Sequence, residues 1–232
     1  GGSVYFASLE SGAEKIAQRV LASEAKIDSY RMRTSYMNRE EWSRLTDALR
    51  ALLITRFVID DTSDITPEEL ASRCRRYKAQ SGLDLLVVDY LQLMARRLMY
   101  TRRYRDLRIA VQEVGSALIG LSRTLNIPVL ALAQLSREVD SRPGHRPQMS
   151  DLAESASLEM DSDLVILLLR EEMYRSTDAN RNIATVIFGK NRDGSTDEDI
   201  SMAFVKQYTR FESLDRAAWP VSHGDRRVSP SR

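Results

Sequence analysis

The sequence predicts an α/β fold in which a doubly wound, mostly parallel sheet carries an antiparallel hairpin near the C-terminus. Apolar runs of strand length alternate along the chain with segments of helical period, the pattern of successive strand–helix units. Runs such as Leu85-Leu86-Val87-Val88 contain no polar residue, as expected for strands buried on both faces of a parallel sheet. Helices are therefore expected on both faces. The predicted strands are residues 4–9, 57–59, 85–89, 129–133, 164–169 and 184–188.

Four helices are predicted between these strands. Residues 12–25 and 38–53 each carry an apolar stripe at helical spacing. In the second helix, the residues expected to face the core are Trp42, Leu45, Leu49 and Leu52.

The third helix has the clearest start signal in the chain. Thr66 is suited to the N-cap, Pro67 to the first helical position, and Glu69 completes a Thr-x-x-Glu capping box. Gly82 suits the left-handed position just past the end of this helix. The fourth helix is expected over residues 106–125, where apolar residues again recur at helical spacing.

The last third of the chain has a different pattern. Residues 184–188 and 200–205 read as two strands joined by the polar turn 190–194, followed by a short segment at 208–211. We expect these strands to form an antiparallel addition to the sheet. Residues 1–214 would then form one domain, and residues 215–232, which contain little to pack, a flexible tail.

Composition excludes several classes of protein. The 34 Lys+Arg and 33 Asp+Glu residues give a net charge of +1, so neither a polybasic nor an acidic tail is the main functional device. The single cysteine, Cys74, rules out an intramolecular disulfide and a cysteine-based zinc site. The sequence contains no apolar run long enough to span a membrane, and its first residues do not resemble a signal peptide. A cytoplasmic protein without membrane association is expected.

Each of three predicted apolar strands ends in a polar residue that could take part in binding or cleaving a nucleotide phosphate. Asp89 places a carboxylate at the carboxyl edge of a central strand, where it can hold a Mg²⁺-bound water beside nucleotide phosphates. Glu10 can serve as a general base if its strand neighbours that of Asp89. Gln134 can hydrogen-bond a phosphate oxygen and a downstream loop. Each also has a structural interpretation: Asp89 as a helix N-cap, Glu10 as a favourable charge in a first helical turn, and Gln134 as the cap of a strand end.

Together these segments resemble the C-terminal motor domain of the DnaB family of replicative DNA helicases. The resemblance covers about residues 4–214 and is most specific where an Asp-Tyr-Leu-Gln-Leu-Met string is combined with Gln-Leu-Ser-Arg. The matching strings are Ser8-Leu9-Glu10, Val87-Val88-Asp89-Tyr90-Leu91-Gln92-Leu93-Met94 and Ala133-Gln134-Leu135-Ser136-Arg137. Further matches are residues 146–152, 154–155, 159–163, 190–194 and 208–212.

The resemblance implies a RecA-like fold in a ring hexamer that hydrolyses ATP between subunits and pulls single-stranded DNA through its centre. It implies that Glu10 is the catalytic glutamate, that Asp89 is the Walker-B ligand of Mg²⁺ through water, and that Gln134 is the sensor of the phosphate site. Lys190 and Arg192 match the basic pair that reaches a neighbour's γ-phosphate. From the residues alone, that pair is also consistent with a solvated hairpin turn. The resemblance also implies primase and a helicase loader as partners.

One departure from the family pattern changes the expected activity. No Gly-x-x-x-x-Gly-Lys-Ser/Thr string occurs in the 232 residues, and such a loop supplies the N–H groups, the lysine and the hydroxyl that hold phosphates and metal. We expect this chain alone to bind ATP weakly or not at all. It is interpreted as a helicase fragment that lacks the first strand, this loop and the first helix, through a truncated reading frame, a split gene or excision.

A cluster of arginines follows the Asp89 strand, within residues 95–108. Against the single acid Asp106, this segment is expected to form a basic loop that contacts single-stranded DNA, with Tyr100 and Tyr104 available for stacking. A solvated loop and helix start is the alternative. The residues assigned to nucleic-acid binding are Arg96, Arg97, Arg102, Arg103 and Arg105, and also Arg142, which follows the sensor segment.

Two rival functions remain open from the sequence. One is a RecA-like recombinase or clock-type ATPase, disfavoured because Asp89 is followed by Tyr-Leu-Gln-Leu-Met. The other is a non-enzymatic module that binds single-stranded DNA or forms oligomers after losing its nucleotide site.

Overall fold

The structure, a computed structural model, describes residues 2–102, 104–152 and 156–214, with the backbone alone at residues 156 and 157. Arg103 and the predicted tail at 215–232 lie outside these residues. The strands are β1 (Ser3–Ser8), β2 (Arg56–Asp60), β3 (Leu85–Asp89), β4 (Val129–Ala131), β5 (Leu164–Leu169), β6 (Ile183–Asn191), β7 (Ile200–Val205) and β8 (Arg210–Ser213). The helices are α1 (Ala13–Ala25), α2 (Ser29–Arg33), α3 (Arg39–Leu53), α4 (Pro67–Ser81), α5 (Leu91–Arg102), α6 (Leu107–Leu125), α7 (Glu138–Ser141) and α8 (Ala156–Asp161).

The first four strands form a parallel sheet in the order β2-β1-β3-β4. Tyr5 on β1 lies opposite Val58 on β2 and Leu86 on β3. The main core covers the face of this sheet that carries Tyr5, Leu86 and Val88, and it includes the buried faces of α4, α5 and α6. This topology confirms the predicted α/β, RecA-like doubly wound fold. It also brings the carboxyl ends of β1, β3 and β4 to one edge.

The predicted helix starts are confirmed in atomic detail. Thr66 accepts a hydrogen bond from the Glu69 N–H, and the Glu69 carboxylate accepts one from the Thr66 N–H, which forms a reciprocal capping box. Asp106 caps α6 through the Arg108 N–H. Gly82 follows α4 with a φ of 78° and a ψ of 155°, so its φ is positive but its conformation is not the left-handed helical one expected.

The predicted core stripe of the second helix is wrong at two positions. Trp42 is 49% exposed and Leu49 is 45% exposed. The inner face of α3 instead uses Ala48, with Leu45 half-buried, against Ala25 and Ile27 of the first helical segment. Ala48 and Leu45 therefore occupy the face of α3 that packs inward, and Trp42 and Leu49 lie largely at the surface.

The predicted C-terminal hairpin is part of a larger antiparallel sheet, in the order β5-β6-β7-β8. Residues 164–169, predicted to be a strand buried on both faces, form β5, which pairs antiparallel with β6. Leu167 is 3% exposed, whereas the alternate residues along the strand are about half exposed. These are Leu164 (47%), Ile166 (46%) and Leu168 (53%). Only one face of β5 is covered by the described residues, and burial therefore alternates along it.

The prediction of a basic loop over residues 95–108 is also wrong for the first half of that segment, because residues 91–102 form the helix α5. Leu91, Met94, Ala95 and Leu98 are all buried and recur at helical spacing. They pack α5 into the main core beside α6. Arg96, Arg97 and Arg102 therefore project from a helix rather than from a loop.

The second sheet is joined to the first part of the fold by helices. On α6, a Cβ atom at Gly115 would lie 2.7 Å from Leu158 of α8, so the glycine permits these helices to approach. At the other side, the Arg210 guanidinium on β8 donates to the Ser23 carbonyl of α1. No helix in the described residues is long and apolar enough to cross a membrane.

Candidate functional site

A cavity of about 210 Å³ opens where β1, β3 and β4 end. Open α/β sheets bind ligands at this carboxyl edge. The residues that line it are Glu10, Asp89, Tyr90, Leu132, Ala133 and Gln134. The structure therefore brings together the two acids and the amide that the sequence singled out separately.

The main chain fixes where these residues lie. Ser8 is opposite Asp89 in the parallel pairing of β1 and β3, and the Leu9 N–H donates to the Asp89 carbonyl at 2.7 Å. On the other side of β3, the Leu132 N–H donates to the Val88 carbonyl at 2.9 Å. Because three adjacent strands end in step, the residues that follow them share one edge.

The Glu10 carboxylate acts on the carboxylate of Asp89 at the cavity. Partial burial and the neighbouring Glu10 charge raise the pKa of Asp89, while Arg19 acts in the opposite direction. Among the described residues, no basic side chain lines the cavity. Two adjacent acids without a lining cation form a site of negative potential that favours a bound cation.

The donor set fits a magnesium ion. Mg²⁺ usually binds one or two protein carboxylates and completes its shell with waters and substrate phosphates. Asp89, at a strand end and without a side-chain hydrogen bond to the described residues, is placed to hold such an ion through water. Within the described chain there is no group of three or more His, Cys, Asp or Glu side chains that forms a metal cage, so waters and phosphates would complete the coordination.

The backbone of Gln134 is held by a residue that the sequence analysis did not assign. The Gln134 N–H donates to Oε1 of Gln92 at 3.1 Å, and Nε2 of Gln92 donates to the Gln134 carbonyl at 3.2 Å. Gln92 is only 5% exposed, whereas the Gln134 side chain is exposed at the cavity. The available signal was a polar residue inside the apolar stripe of α5, between Leu91 and Met94.

The segment after Gln134 is held by a buried ion pair. Arg142 donates to both carboxylate oxygens of Asp151, at 2.6 and 2.7 Å, and Asp151 is 1% exposed. The hydrogen bond from Arg142 lowers the pKa of Asp151 against the opposing effect of burial. The Asp151 carbonyl accepts from the Ser136 N–H at 2.7 Å. Arg142, predicted to bind nucleic acid, thus has its guanidinium occupied in stabilising this loop.

Lys190 and Arg192 lie together, but not at the cavity. The Lys190 ammonium donates to the carbonyls of Glu159 and Met160 in the last turn of α8, at 2.7 and 3.0 Å. Arg192 also donates to the Met160 carbonyl and pairs with Asp163 at 2.5 Å, with half of its side chain exposed. Within one chain, the two cations therefore cap a helix C-terminus, a favourable position for positive charge.

The arginines of α5 and of the short segment that follows it divide into two groups. Arg97 lies 3.6 Å from the Asp64 carboxylate. Arg102 forms ion pairs with Glu68 and Glu113. Arg96 and Arg105 are exposed and form no ion pair with the part of the chain that the structure describes. The basic segment is therefore partly neutralised by acids that are distant in sequence.

Comparison with known proteins assigns the chain to a family. The model of the DnaB-like helicase C terminal domain matches residues 1–213. The chain belongs to this family. The replicative DNA helicase DnaC of Bacillus subtilis (strain 168) is 40% identical over 215 residues. The replicative DNA helicase DnaB of Geobacillus stearothermophilus is 38% identical over 209 residues.

The DnaB-like chain spans about half the length of these curated relatives. The aligned regions are 92% of the chain and 46% of the Bacillus subtilis protein, and 90% of the chain and 45% of the Geobacillus stearothermophilus protein.

The fold of this chain is similar to the folds of solved structures. A DnaB-like replicative helicase, solved in a study of its interactions with primase, has a TM-score of 0.83 at 29% identity and covers 92% of this chain and 51% of that one. The RadB recombinase has a TM-score of 0.50 at 18% identity, covering 93% of this chain and 80% of that one. The RadB likeness extends to the fold alone.

Proposed function

We propose that this chain is the motor portion of a replicative DNA helicase, which couples ATP hydrolysis to movement along single-stranded DNA and to duplex unwinding. The observation that carries the proposal is the convergence of Glu10, Asp89 and Gln134 on one cavity at the strand ends. Family membership supports it, because the curated relatives are named replicative DNA helicases.

Each cavity residue has a distinct role in this proposal. Glu10 accepts a proton from the water that attacks the γ-phosphate. Asp89 holds Mg²⁺ through a coordinated water. When bound, this ion neutralises charge on the phosphate oxygens. Gln134 bonds a phosphate oxygen, and its loop connects through Ser136 to the Asp151 segment.

The cavity also indicates what must be supplied from elsewhere. A volume of about 210 Å³ suits the end of a triphosphate rather than a whole nucleotide. Because the lining includes two acids, the phosphate would enter together with a bound cation. A glycine-rich loop from another segment would hold the remaining phosphates. Lys190 and Arg192 of a neighbouring subunit would reach the γ-phosphate, for which they must leave the end of α8.

This proposal extends to assembly and partners. We place the complete protein in a homo-hexameric ring in the cytoplasm, with single-stranded DNA in its channel. We propose that Arg96, Arg97, Arg102 and Arg105 contact that DNA, together with Arg103, which lies outside the described residues. Primase is a proposed partner, since a similar solved structure concerns a DnaB-like helicase and its interactions with primase. A helicase loader is a second proposed partner.

The test uses a chimera in which residues 1–214 replace the matching segment of the Bacillus subtilis relative. We expect the chimera to form a hexamer and to hydrolyse ATP faster when single-stranded DNA is added. Glu10→Gln should lower kcat by about 100-fold or more with little change in KM for ATP, because a base acts on the attacking water and not on nucleotide binding.

Glu14→Gln is the matched control, because Glu14 is an exposed acid in the first turn of the adjacent α1. It should leave kcat within about twofold of the unsubstituted chimera, as expected for a surface residue. Normal turnover of Glu10→Gln would overturn the base assignment. An assembled hexamer that does not hydrolyse ATP would overturn the motor function itself.

A further inference from the structure

We propose that Gln92 is a positioning residue for Gln134, and that its side-chain amide takes the place of the next main-chain pairing between β3 and β4. The proposal deepens the motor function and rests on it, because the position of Gln134 matters only if that residue contacts nucleotide. The juxtaposition behind it is a buried carboxamide that bonds both the N–H and the carbonyl of one cavity residue.

The main-chain pairing stops just before Gln134. Leu132 is bonded on both sides, since its N–H donates to the Val88 carbonyl and its carbonyl accepts from the Leu91 N–H, each at 2.9 Å. In a parallel ladder, the next residue to be bonded in this way, along the chain that continues β4, is two positions further on. That residue is Gln134. By this point the partner chain has turned into α5, which begins at Leu91.

The Gln92 side chain continues the pairing from the first turn of that helix. Its Oε1 accepts from the Gln134 N–H at 3.1 Å and its Nε2 donates to the Gln134 carbonyl at 3.2 Å. A carboxamide carries a donor and an acceptor in one plane, as a peptide group does. No apolar side chain supplies either, and a carboxylate supplies only the acceptor.

The burial of Gln92 makes the contact specific. It is 5% exposed and shares the inner face of α5 with Leu91 and Met94. A buried amide is costly without partners, and both of its polar atoms find theirs on Gln134. We call the two hydrogen bonds between Gln92 and Gln134 the clamp. Asp89 ends β3 three residues before Gln92, so the clamp links the segment that carries this acid to the segment that carries Gln134.

The first experiment measures the clamp directly in the 232-residue chain. In Gln92→Leu, we expect the amide hydrogen of Gln134 to exchange about tenfold faster, the size expected for the loss of one hydrogen bond. The amide of Leu132, bonded to β3 by main chain alone, should keep its protection. Gln112→Leu, a change of the same type at an exposed position of α6, should alter neither.

Gln92→Glu separates the two hydrogen bonds and serves if Gln92→Leu does not fold. When ionised, the introduced carboxylate still accepts from the Gln134 N–H but cannot donate to the Gln134 carbonyl. Because burial raises the pKa of a carboxyl group, the spectra are recorded at a pH at which the introduced group is ionised. We therefore expect slower exchange at Gln134 than in Gln92→Leu, with a shifted carbonyl ¹³C resonance at this residue. Unchanged exchange at Gln134 in Gln92→Leu, or an unchanged carbonyl resonance in Gln92→Glu, would overturn the proposal.

The second experiment tests whether the position of Gln134 affects ATP hydrolysis. In the Bacillus subtilis chimera, Gln92→Leu should lower kcat for DNA-stimulated ATP hydrolysis by about tenfold, with KM for ATP little changed and with Gln92→Glu intermediate. A kcat that is unchanged in Gln92→Leu would overturn the positioning role. An unsubstituted chimera without activity would instead overturn the proposed function, while the exchange result on Gln134 would stand.

Discussion

At the scale of single residues, the cavity places the acids Glu10 and Asp89 at one edge of the sheet, whereas the buried acid Glu172 is surrounded by hydrogen-bond donors. Asp89 has a raised pKa because it is partly buried and lies near Glu10. Glu172 shows the opposite behaviour. Burial alone would raise the pKa of Glu172, but hydrogen bonds from Arg170, the Asn182 N–H and Lys206 lower it to about 2. An acid held without compensating partners is typical of a site built for chemistry.

The contacts of Glu172 predict how much its charge contributes to the free energy of unfolding. Its carboxylate accepts from Arg170 at 2.7 Å, from the Asn182 N–H at 2.9 Å and from Lys206 at 2.9 Å, with 2% of its side chain exposed. Glu172→Gln keeps the shape but loses the charge, so it should lower the free energy of unfolding by about 2 kcal/mol at neutral pH. Glu171→Gln, at the exposed neighbour, should cost under about 0.5 kcal/mol.

The sign of the pH dependence follows from the lowered pKa. Glu172 has a pKa of about 2 in the folded chain and an ordinary value of 4.5. Its contribution is complete above the ordinary value and is lost as the pH falls through the folded value. Urea unfolding of wild type and Glu172→Gln should therefore differ most above about pH 5 and converge near about pH 2. A difference that does not change with pH would contradict the ion-pair assignment.

Residues could be predicted from the sequence where local pattern determines their position. Glu10, Asp89 and Gln134 each follow an apolar strand, and parallel strands that end in step bring such residues to one edge. The contacts of Gln92 and Arg142 could not be predicted in the same way. Gln92 bonds a residue 42 positions away and Arg142 a residue 9 positions away, and no sequence period indicates those contacts.

At the scale of elements, α5 is a helix whose many arginines led to the prediction of a loop. Its arginines favour the prediction of a loop, yet every third or fourth position from Leu91 is apolar and buried. The long aliphatic stems of arginine are compatible with a helix surface, so composition does not decide between the two. The helix then aligns Arg97 and Arg102 with acids outside α5, while Arg96 on the helix and Arg105 just after it have no such partners among the described residues.

This division of the arginines predicts unequal effects on DNA binding. The double variant Arg96→Ala, Arg105→Ala should weaken binding of single-stranded DNA by the chain. Two phosphate contacts at about 0.7 each should reduce the slope of log K against log salt by about 1.4. Arg97→Ala with Arg102→Ala is the matched control and should have a smaller effect, because Asp64, Glu68 and Glu113 already face those guanidinium groups.

Fluorescence anisotropy with a labelled oligonucleotide at several salt concentrations measures both variants. Equal losses in the two double variants would contradict the division of the arginines. Binding of the unsubstituted chain that does not depend on salt would contradict phosphate recognition by this surface altogether.

At the scale of the whole molecule, residues 2–102, 104–152 and 156–214 form two four-stranded sheets. Each sheet has an apolar edge strand that these residues leave partly uncovered. β4 ends the parallel sheet with Leu130 51% exposed and Leu132, just past the strand, 42% exposed. β5 ends the antiparallel sheet and is half exposed along one face. The sequence indicated apolar strands here but not their exposure, because exposure depends on which elements cover a strand and not on its own residues.

The exposed face of β5 predicts self-association of the isolated chain. Contiguous apolar surface on an edge strand favours pairing with another molecule. We expect the wild-type chain to form oligomers at about 10–100 µM, and Ile166→Lys to shift it towards monomer in sedimentation velocity. Ile109→Lys is the matched control, since Ile109 is 51% exposed against 46% for Ile166 but lies on α6 rather than on the antiparallel sheet. Equal effects of the two lysines, or a monomeric wild type, would show that the β5 face does not drive association.

In the chimera, we expect Ile166→Lys to lower the yield of hexamer, because an apolar face that is covered in an assembly does not tolerate a charge.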